Sequence, residues 1–193
     1  LRHYSAKHAL LVGKPGSGKS TVLRQLLWEE ARNALVAMRQ GKTDFKIPVL
    51  IELRERKEED IIARIQKILR RTGLDAAAIE ELLLTGCFLL LFDGLNEIPS
   101  PTIWAKLTEF QSDRDFRVNP RVFTTRELGA DTELNLKEKL SLLPLTELQI
   151  RLFVEKRLPG RAELLLNQLK DRLSELAETP LLLKILCDVV RES

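Results

Sequence analysis

The segment Gly13-Lys14-Pro15-Gly16-Ser17-Gly18-Lys19-Ser20 joins an apolar run at 9–12 to a stretch with helical periodicity. Its three glycines permit backbone conformations in which successive N–H groups point at one anion. The helix that follows adds its positive end, which carries roughly half a unit charge and several unpaired N–H donors. This pattern in a strand–loop–helix setting predicts a phosphate-binding loop rather than a simple glycine-rich turn.

The loop also carries two side chains with predicted roles in phosphate chemistry. Lys19 is expected to reach the β- and γ-phosphates as a point charge and to support catalysis, while the Ser20 hydroxyl is expected to coordinate magnesium. The predicted nucleotide-binding residues of this segment are Gly13, Lys14, Pro15, Gly16, Ser17, Gly18, Lys19, Ser20 and Thr21.

The composition excludes several classes of protein. The 193 residues are 44% hydrophobic, which is enough for a packed core, and the net charge of only +3 does not indicate a nucleic-acid or membrane partner. Cys87 and Cys187 lie in apolar runs without metal-ligand spacing, which favours reduced thiols and a cytoplasmic location. The longest uninterrupted apolar run, 87–92, is far below the ~18 residues of a membrane span.

Apolar strands alternate with helical patterns over the first three quarters of the chain, and only helices follow. We expect strands at 9–13, 48–53, 88–92, 121–125 and 140–143, and later helices at 146–157, 162–177 and 180–190. This alternation predicts an α/β domain with a parallel five-stranded sheet between helices over 1–145, and a small all-helical subdomain over 146–193. The polar connection 112–120 reads as an exposed loop.

Polar side chains follow two of the predicted buried strands. Asp93 ends the run Phe88-Leu89-Leu90-Leu91-Phe92, Glu97 comes four residues later, and Arg126 follows Thr124-Thr125. In parallel sheets, ligands bind at the carboxyl ends of strands. Asp93 is therefore a predicted magnesium ligand with a catalytic role, although it is also suited to a turn or helix cap. Glu97 is the predicted base for an attacking water, and Arg126 the predicted partner of the terminal phosphate, unless they are an exposed loop acid and a surface ion-pair residue.

With these residues established, the chain resembles the NACHT family, in the STAND class of P-loop NTPases of bacterial type. The resemblance extends along nearly the whole sequence, in the order typical of the family. It rests on the loop, Pro48-Val49-Leu50-Ile51-Glu52-Leu53-Arg54, Leu89-Leu90-Leu91-Phe92-Asp93-Gly94-Leu95-Asn96-Glu97, Val122-Phe123-Thr124-Thr125-Arg126, Leu143-Pro144-Leu145-Thr146-Glu147-Leu148-Gln149-Ile150 and Thr179-Pro180-Leu181-Leu182-Leu183.

The resemblance implies an ASCE-type sheet in which the strand before Arg126 lies between the loop-bearing strand and the Asp93 strand. It also implies that Pro180, in the first part of an HD1-like helical region, approaches the bound adenine or ribose. The family often has a second acid where this chain has Asn96, which cannot bind magnesium or accept a proton as a carboxylate does. Slow hydrolysis with Glu97 as its only acid is therefore expected.

The function that the resemblance implies is an ATP/ADP-binding signalling switch, with Mg²⁺ as cofactor, slow hydrolysis and self-association on activation, in bacterial defence or signal transduction. The chain begins without Met, and we expect it to be a fragment with flanking effector and sensor domains. Two alternatives stay open. One is a P-loop motor ATPase or small-molecule kinase, although no Arg-rich lid or acceptor segment stands out. The other is a nucleotide-binding scaffold without hydrolysis, which Asn96 makes plausible.

Overall fold

The computed structural model describes residues 7–54, 59–126, 134, 136, 138–171 and 177–192. These residues divide into two compact units, one made from 7–12 and 20–141 and the other from 13–19 and 142–192. The phosphate loop therefore belongs to the same unit as the carboxyl-terminal helices. The division at 145 into two domains stays a prediction.

The first unit contains a parallel five-stranded sheet, as predicted. Its strands are β1 (His8–Val12), β2 (Ile47–Glu52), β3 (Phe88–Asp93), β4 (Arg121–Thr125) and β5 (Glu138–Ser141). They lie in the order β2-β3-β4-β1-β5, so the strand that precedes Arg126 lies between the loop-bearing strand and the Asp93 strand, as the resemblance implied. In the register, Leu11 is opposite Thr124, and Glu52 is opposite Asp93.

The apolar run in β3 is buried on both faces of the sheet. Phe88, Leu90 and Phe92 belong to one hydrophobic cluster, whereas Leu89 and Leu91 belong to another. Side chains alternate between the faces of a strand, so a central strand covered on both sides is apolar at every position. The helices of this part of the chain are α1 (Lys19–Arg39), α2 (Ile61–Leu69), α3 (Ala76–Leu84) and α4 (Pro101–Ser112).

The fifth strand lies two residues earlier than predicted. The sequence indicated 140–143, but Glu138–Ser141 pairs with β1, and Leu143 is 82% exposed. The exposure of β5 residues alternates, because this strand lies at the edge of the sheet. An apolar run marks a central strand well and an edge strand poorly.

The prediction that 112–120 is an exposed loop was wrong for three of its residues, whereas 112–115, 117 and 118 are exposed. Phe116 and Asn119 are buried, and the Asn119 side chain accepts from the Phe88 N–H and donates to the carbonyls of Leu83 and Phe116. The Arg121 guanidinium also donates to the Phe116 carbonyl of this segment. Polar residues form an internal network here, so their polarity did not mean exposure.

The second unit contains α5 (Glu147–Arg157), α6 (Ala162–Asp171) and α7 (Pro180–Glu192). The capping box predicted at the start of α5 is present, because Thr146 Oγ1 accepts from the Gln149 N–H and the Gln149 side chain accepts from the Thr146 N–H. Residues 172–176 of the helix predicted over 162–177 lie outside the described residues. The core of the unit includes Val154, Leu165, Leu183 and Cys187. None of the helices in the described ranges is long and apolar enough to cross a membrane.

Candidate functional site

The phosphate loop packs against the start of α7 within the second unit. The Leu181 N–H donates to the Gly16 carbonyl at 3.3 Å, and a Cβ built on Gly16 would lie only 2.8 Å from the Leu181 Cβ. Gly16 and Gly18 have φ values of 75° and 95°, a region that side chains disfavour. A Cβ on Gly18 would lie 3.9 Å from the Pro180 ring, so Pro180 is a close neighbour of the loop.

Two polar side chains are folded against the loop backbone. Lys19 Nζ donates to the carbonyls of Gly13 and Lys14, the latter at 3.0 Å. Ser17 Oγ is buried and has no hydrogen-bond partner among the described residues. A Cβ on Gly13 would lie 2.7 Å from this oxygen. A backbone this compact, with an ammonium group and a hydroxyl on it, fits an anion such as a phosphate.

The remaining predicted loop residues begin α1. The helix starts at Lys19, and Ser20 and Thr21 follow in its first turn. There is no acidic residue in that turn, so no carboxylate of the turn itself neutralises the positive helix end. Lys14 and Pro15 lie before the helix and are exposed.

Asp93 ends β3, and the neighbouring strand β4 holds its carboxylate. Thr124 Oγ1 donates to Asp93 Oδ1 at 2.6 Å and accepts from the Gly94 N–H at 2.8 Å. Thr124 itself is only 1% exposed. The sequence indicated Asp93 but not its contact with Thr124, because that contact depends on the pairing of β3 with β4.

Glu97 and Arg126 lie at the same edge of the sheet as Asp93. Glu97 ends a short 3₁₀ turn, and its Oε1 is 3.7 Å from an Arg126 guanidinium nitrogen. Gly94 has a φ of 84°, and a Cβ there would meet the Glu97 carboxyl at 3.3 Å. The structure thus brings the predicted metal ligand, base and arginine together, on strands that are neighbours in the sheet.

Asn96 has a defined contact at this edge, where the family often has an acid. Its Oδ1 accepts from the Arg126 N–H at 3.0 Å, which ties the turn after β3 to the end of β4. An amide oxygen accepts this bond as well as a carboxylate does, but without the charge. Asn96 therefore keeps a structural contact and leaves Glu97 as the acid of the turn.

An ion-pair cluster at the end of β2 was missed by sequence reasoning. Glu52 accepts from Arg24 on α1 at 3.1 Å and from Arg54, whose terminal nitrogen lies 2.6 Å away. The hydrogen bond with Arg54 lowers the pKa of Glu52, and Glu52, with smaller effects of Glu97 and Asp93, raises the pKa of Arg54. The motif Glu-Leu-Arg at 52–54 was the available signal for the local pair, but the contact with Arg24 depends on the packing of α1 next to the end of β2.

The donor set fits Mg²⁺ held partly by water. Asp93 Oδ1 accepts a hydrogen bond from the Thr124 hydroxyl, whereas Oδ2 has no hydrogen-bond donor among the described residues. No group of three or more His, Cys, Asp or Glu suited to a metal occurs within the part of the chain that is described. Magnesium commonly binds through one or two protein oxygens, substrate phosphates and several waters, so a single carboxylate such as that of Asp93 suits this chemistry.

Comparison with known families identifies the class of this site. The sequence profile described as NACHT domain matches residues 7–161. The chain belongs to the NACHT family of P-loop NTPases. The NACHT match covers the loop, Asp93, Glu97 and Arg126 but ends before Pro180. No curated protein sequence matches the chain.

Two solved structures share the fold of this NACHT domain. The ORC1 protein of Aeropyrum pernix, solved in complex with DNA, is 21% identical and has a TM-score of 0.57 over 86% of this chain and 50% of that one. PCH-2 of C. elegans is 16% identical, with a TM-score of 0.53 over 96% of this chain and 55% of that one. At such identities the likeness concerns the fold alone. The NACHT chain spans about half the length of these two chains.

Proposed function

We propose that this NACHT domain is a signalling switch controlled by ATP and ADP, in bacterial defence or signal transduction. ADP stabilises a closed state, and exchange for ATP with Mg²⁺ permits self-association of the full-length protein. Slow hydrolysis then returns the domain to its resting state. A ligand shifts such an equilibrium only as far as its affinities for the two states differ.

The observation that carries the proposal is the contact between the phosphate loop and α7. Gly16 accepts from the Leu181 N–H, and Pro180 is next to Gly18, so a nucleotide on the loop lies beside the start of a helix. The core of that helical unit includes Leu183 and Cys187, both from α7. Leu181, which contacts the loop, is only two residues from Leu183 in the core of the helical unit. A movement of the loop can therefore displace this helix, as a switch requires and a simple binding site does not.

The proposed roles of the side chains follow from their chemistry. The loop amides and Lys19 bind the phosphates, Pro180 contacts the adenine or ribose, and Ser20 and Asp93 hold Mg²⁺. A bound Mg²⁺ would stabilise the charge of the phosphate oxygens. Glu97 accepts a proton as water attacks the γ-phosphorus, the bond from that phosphorus to the bridging oxygen breaks, and ADP leaves.

The pairing of Glu97 with Arg126 supports slow turnover. Glu97 Oε1 lies 3.7 Å from an Arg126 guanidinium nitrogen, so the two side chains form an ion pair with each other. Arg126 has to leave Glu97 before it neutralises a terminal phosphate. Because Asn96 is not an acid, no second carboxylate of this turn replaces Glu97.

Light scattering of the full-length protein tests the switch. We expect a larger mass with Mg²⁺ and a non-hydrolysable ATP analogue than with ADP, in the presence of any activator that the protein requires. With ATP itself, wild type should return to the small species over time, whereas Glu97→Gln should stay assembled because hydrolysis is blocked.

Three results would count against the proposal. An equal mass with both nucleotides would rule out nucleotide-controlled assembly. If Glu97→Gln and wild type disassembled at the same rate, a scaffold without hydrolysis would explain the site better. Stimulation of turnover by DNA or RNA, or transfer of phosphate to a small acceptor, would favour a motor ATPase or a kinase.

A further inference from the structure

Thr124 is hydrogen-bonded to the carboxylate of Asp93, the predicted magnesium ligand. It is on β4, one strand away from Asp93, and its side chain is almost fully buried. Its hydroxyl makes two hydrogen bonds, one to Asp93 Oδ1 at 2.6 Å and one with the Gly94 N–H at 2.8 Å. One partner is the last residue of β3 and the other is the residue that follows it.

The two bonds fix the direction of the hydroxyl proton. A backbone N–H can only donate, so the Thr124 oxygen accepts from Gly94. The single hydroxyl hydrogen is then directed to Asp93 Oδ1, which accepts it. The chain of bonds from amide to hydroxyl to carboxylate holds Asp93 in one rotamer.

We propose that Thr124 is a positioning residue for the metal site and sets how strongly this domain binds nucleotide with Mg²⁺. Because Thr124 donates to Oδ1, Oδ2 is the oxygen with which Asp93 contacts the ion or its bound water. Groups that orient a metal ligand commonly matter 10–100-fold to affinity or activity. This inference rests on the proposed role of Asp93 as a magnesium ligand.

The alternative is that Thr124 only fills space in the core of the sheet. A structural role predicts a less stable protein whose loss of nucleotide affinity is the same with and without Mg²⁺. A positioning role predicts that the loss appears only when Mg²⁺ is present, because the loop binds the phosphates without Asp93.

The test compares Thr124→Val with Thr124→Ser, the former without the hydroxyl and the latter with it. Affinity for a fluorescent ATP analogue is measured in EDTA and across a Mg²⁺ titration, using the full-length protein. Mg²⁺ is expected to raise the affinity for the ATP analogue. We expect the Mg²⁺ concentration that gives half of this increase to be about tenfold higher in Thr124→Val than in wild type. In EDTA its affinity should equal that of wild type, and Thr124→Ser should resemble wild type in both conditions.

Two controls make the result specific. Thr108→Val removes a hydroxyl that donates to the Trp104 carbonyl on α4, and it should leave the Mg²⁺ titration unchanged. Asp93→Asn should abolish the effect of Mg²⁺. If Thr124→Val does not fold, Thr124→Cys replaces it, because a thiol is a weak donor and should shift the titration in the same direction.

The outcomes separate this inference from the proposed function. If Asp93→Asn abolishes the Mg²⁺ effect and Thr124→Val titrates like wild type, the role of Thr124 is overturned and the metal site stands. If Thr124→Val loses affinity equally in EDTA, its role is structural and the inference is also overturned. If Asp93→Asn titrates like wild type, the metal role of Asp93 fails, and the inference fails with it.

Discussion

Gly16 shows how a single position limits what the phosphate loop can tolerate. The sequence predicts a glycine-rich loop because anion-binding amides need conformations that side chains obstruct. It does not reveal that Gly16 is also in contact with Leu181, 165 positions later in the chain. Two independent constraints, the positive φ and the close approach, therefore act on one residue.

Gly16→Ala should lower the affinity for ADP about tenfold or more. The added Cβ forces the loop backbone away from Leu181, and a loss of about 1.4 kcal/mol in binding free energy already corresponds to that factor. The matched control is Gly160→Ala, which has a φ of 77° but nothing within 4 Å of the added Cβ. Both variants bear the strain of a left-handed residue, about 1–2 kcal/mol, but only Gly16→Ala meets Leu181. Titration calorimetry with ADP gives the comparison. Equal ADP affinities in the two variants would contradict a role for the Leu181 contact.

At the scale of elements, a buried arginine helps to hold the connection from α4 to β4 in place. Arg121 donates to the carbonyls of Phe110 and Phe116 and to Gln111 Oε1, and it lies over the Phe110 ring. Burial lowers its pKa to about 10, so it stays protonated at neutral pH. The sequence places β4 correctly, but a charged first residue gave no sign of being buried. Its burial depends on acceptors that only the folded connection supplies.

Arg121→Met should lower the free energy of unfolding by about 2–4 kcal/mol, because the Phe110 carbonyl and Gln111 Oε1 lose a buried donor, whereas the Phe116 carbonyl keeps its bonds from Asn119. Arg114→Met is the control, since Arg114 is an exposed residue of the same connection, and it should change stability by less than about 0.5 kcal/mol. Urea unfolding followed by tryptophan fluorescence measures both variants. If they were equally stable, the Arg121 network would not be what anchors the connection to β4.

At the scale of the molecule, the sequence predicts what depends on local pattern and misses what depends on register. Alternating strands and helices, the central apolar strand β3 and the parallel sheet were all predicted and are confirmed. The positions of Asp93, Glu97 and Arg126 at strand ends followed from the same pattern. Their contacts with Thr124 and Asn96, and the contact between Glu52 and Arg24, join different elements, so no single segment encodes them.

Nucleotide binding by the whole domain should appear as stabilisation by ADP that depends on Lys19. A ligand that binds only the folded state adds about 2.7 kcal/mol at a concentration 100 times its Kd. Wild type should therefore melt several degrees higher with saturating ADP, since about 1 kcal/mol shifts Tm by 2–4 °C in a chain of this size. Lys19→Ala should show no shift, because the loop loses its ammonium group.

The control is Lys42→Ala, which changes an exposed lysine just after α1 and should respond like wild type. Lys19→Ala also removes bonds to the carbonyls of Gly13 and Lys14, so the comparison is made between each variant with and without ADP. An equal shift in Lys19→Ala and wild type would mean that ADP is bound elsewhere than on the loop.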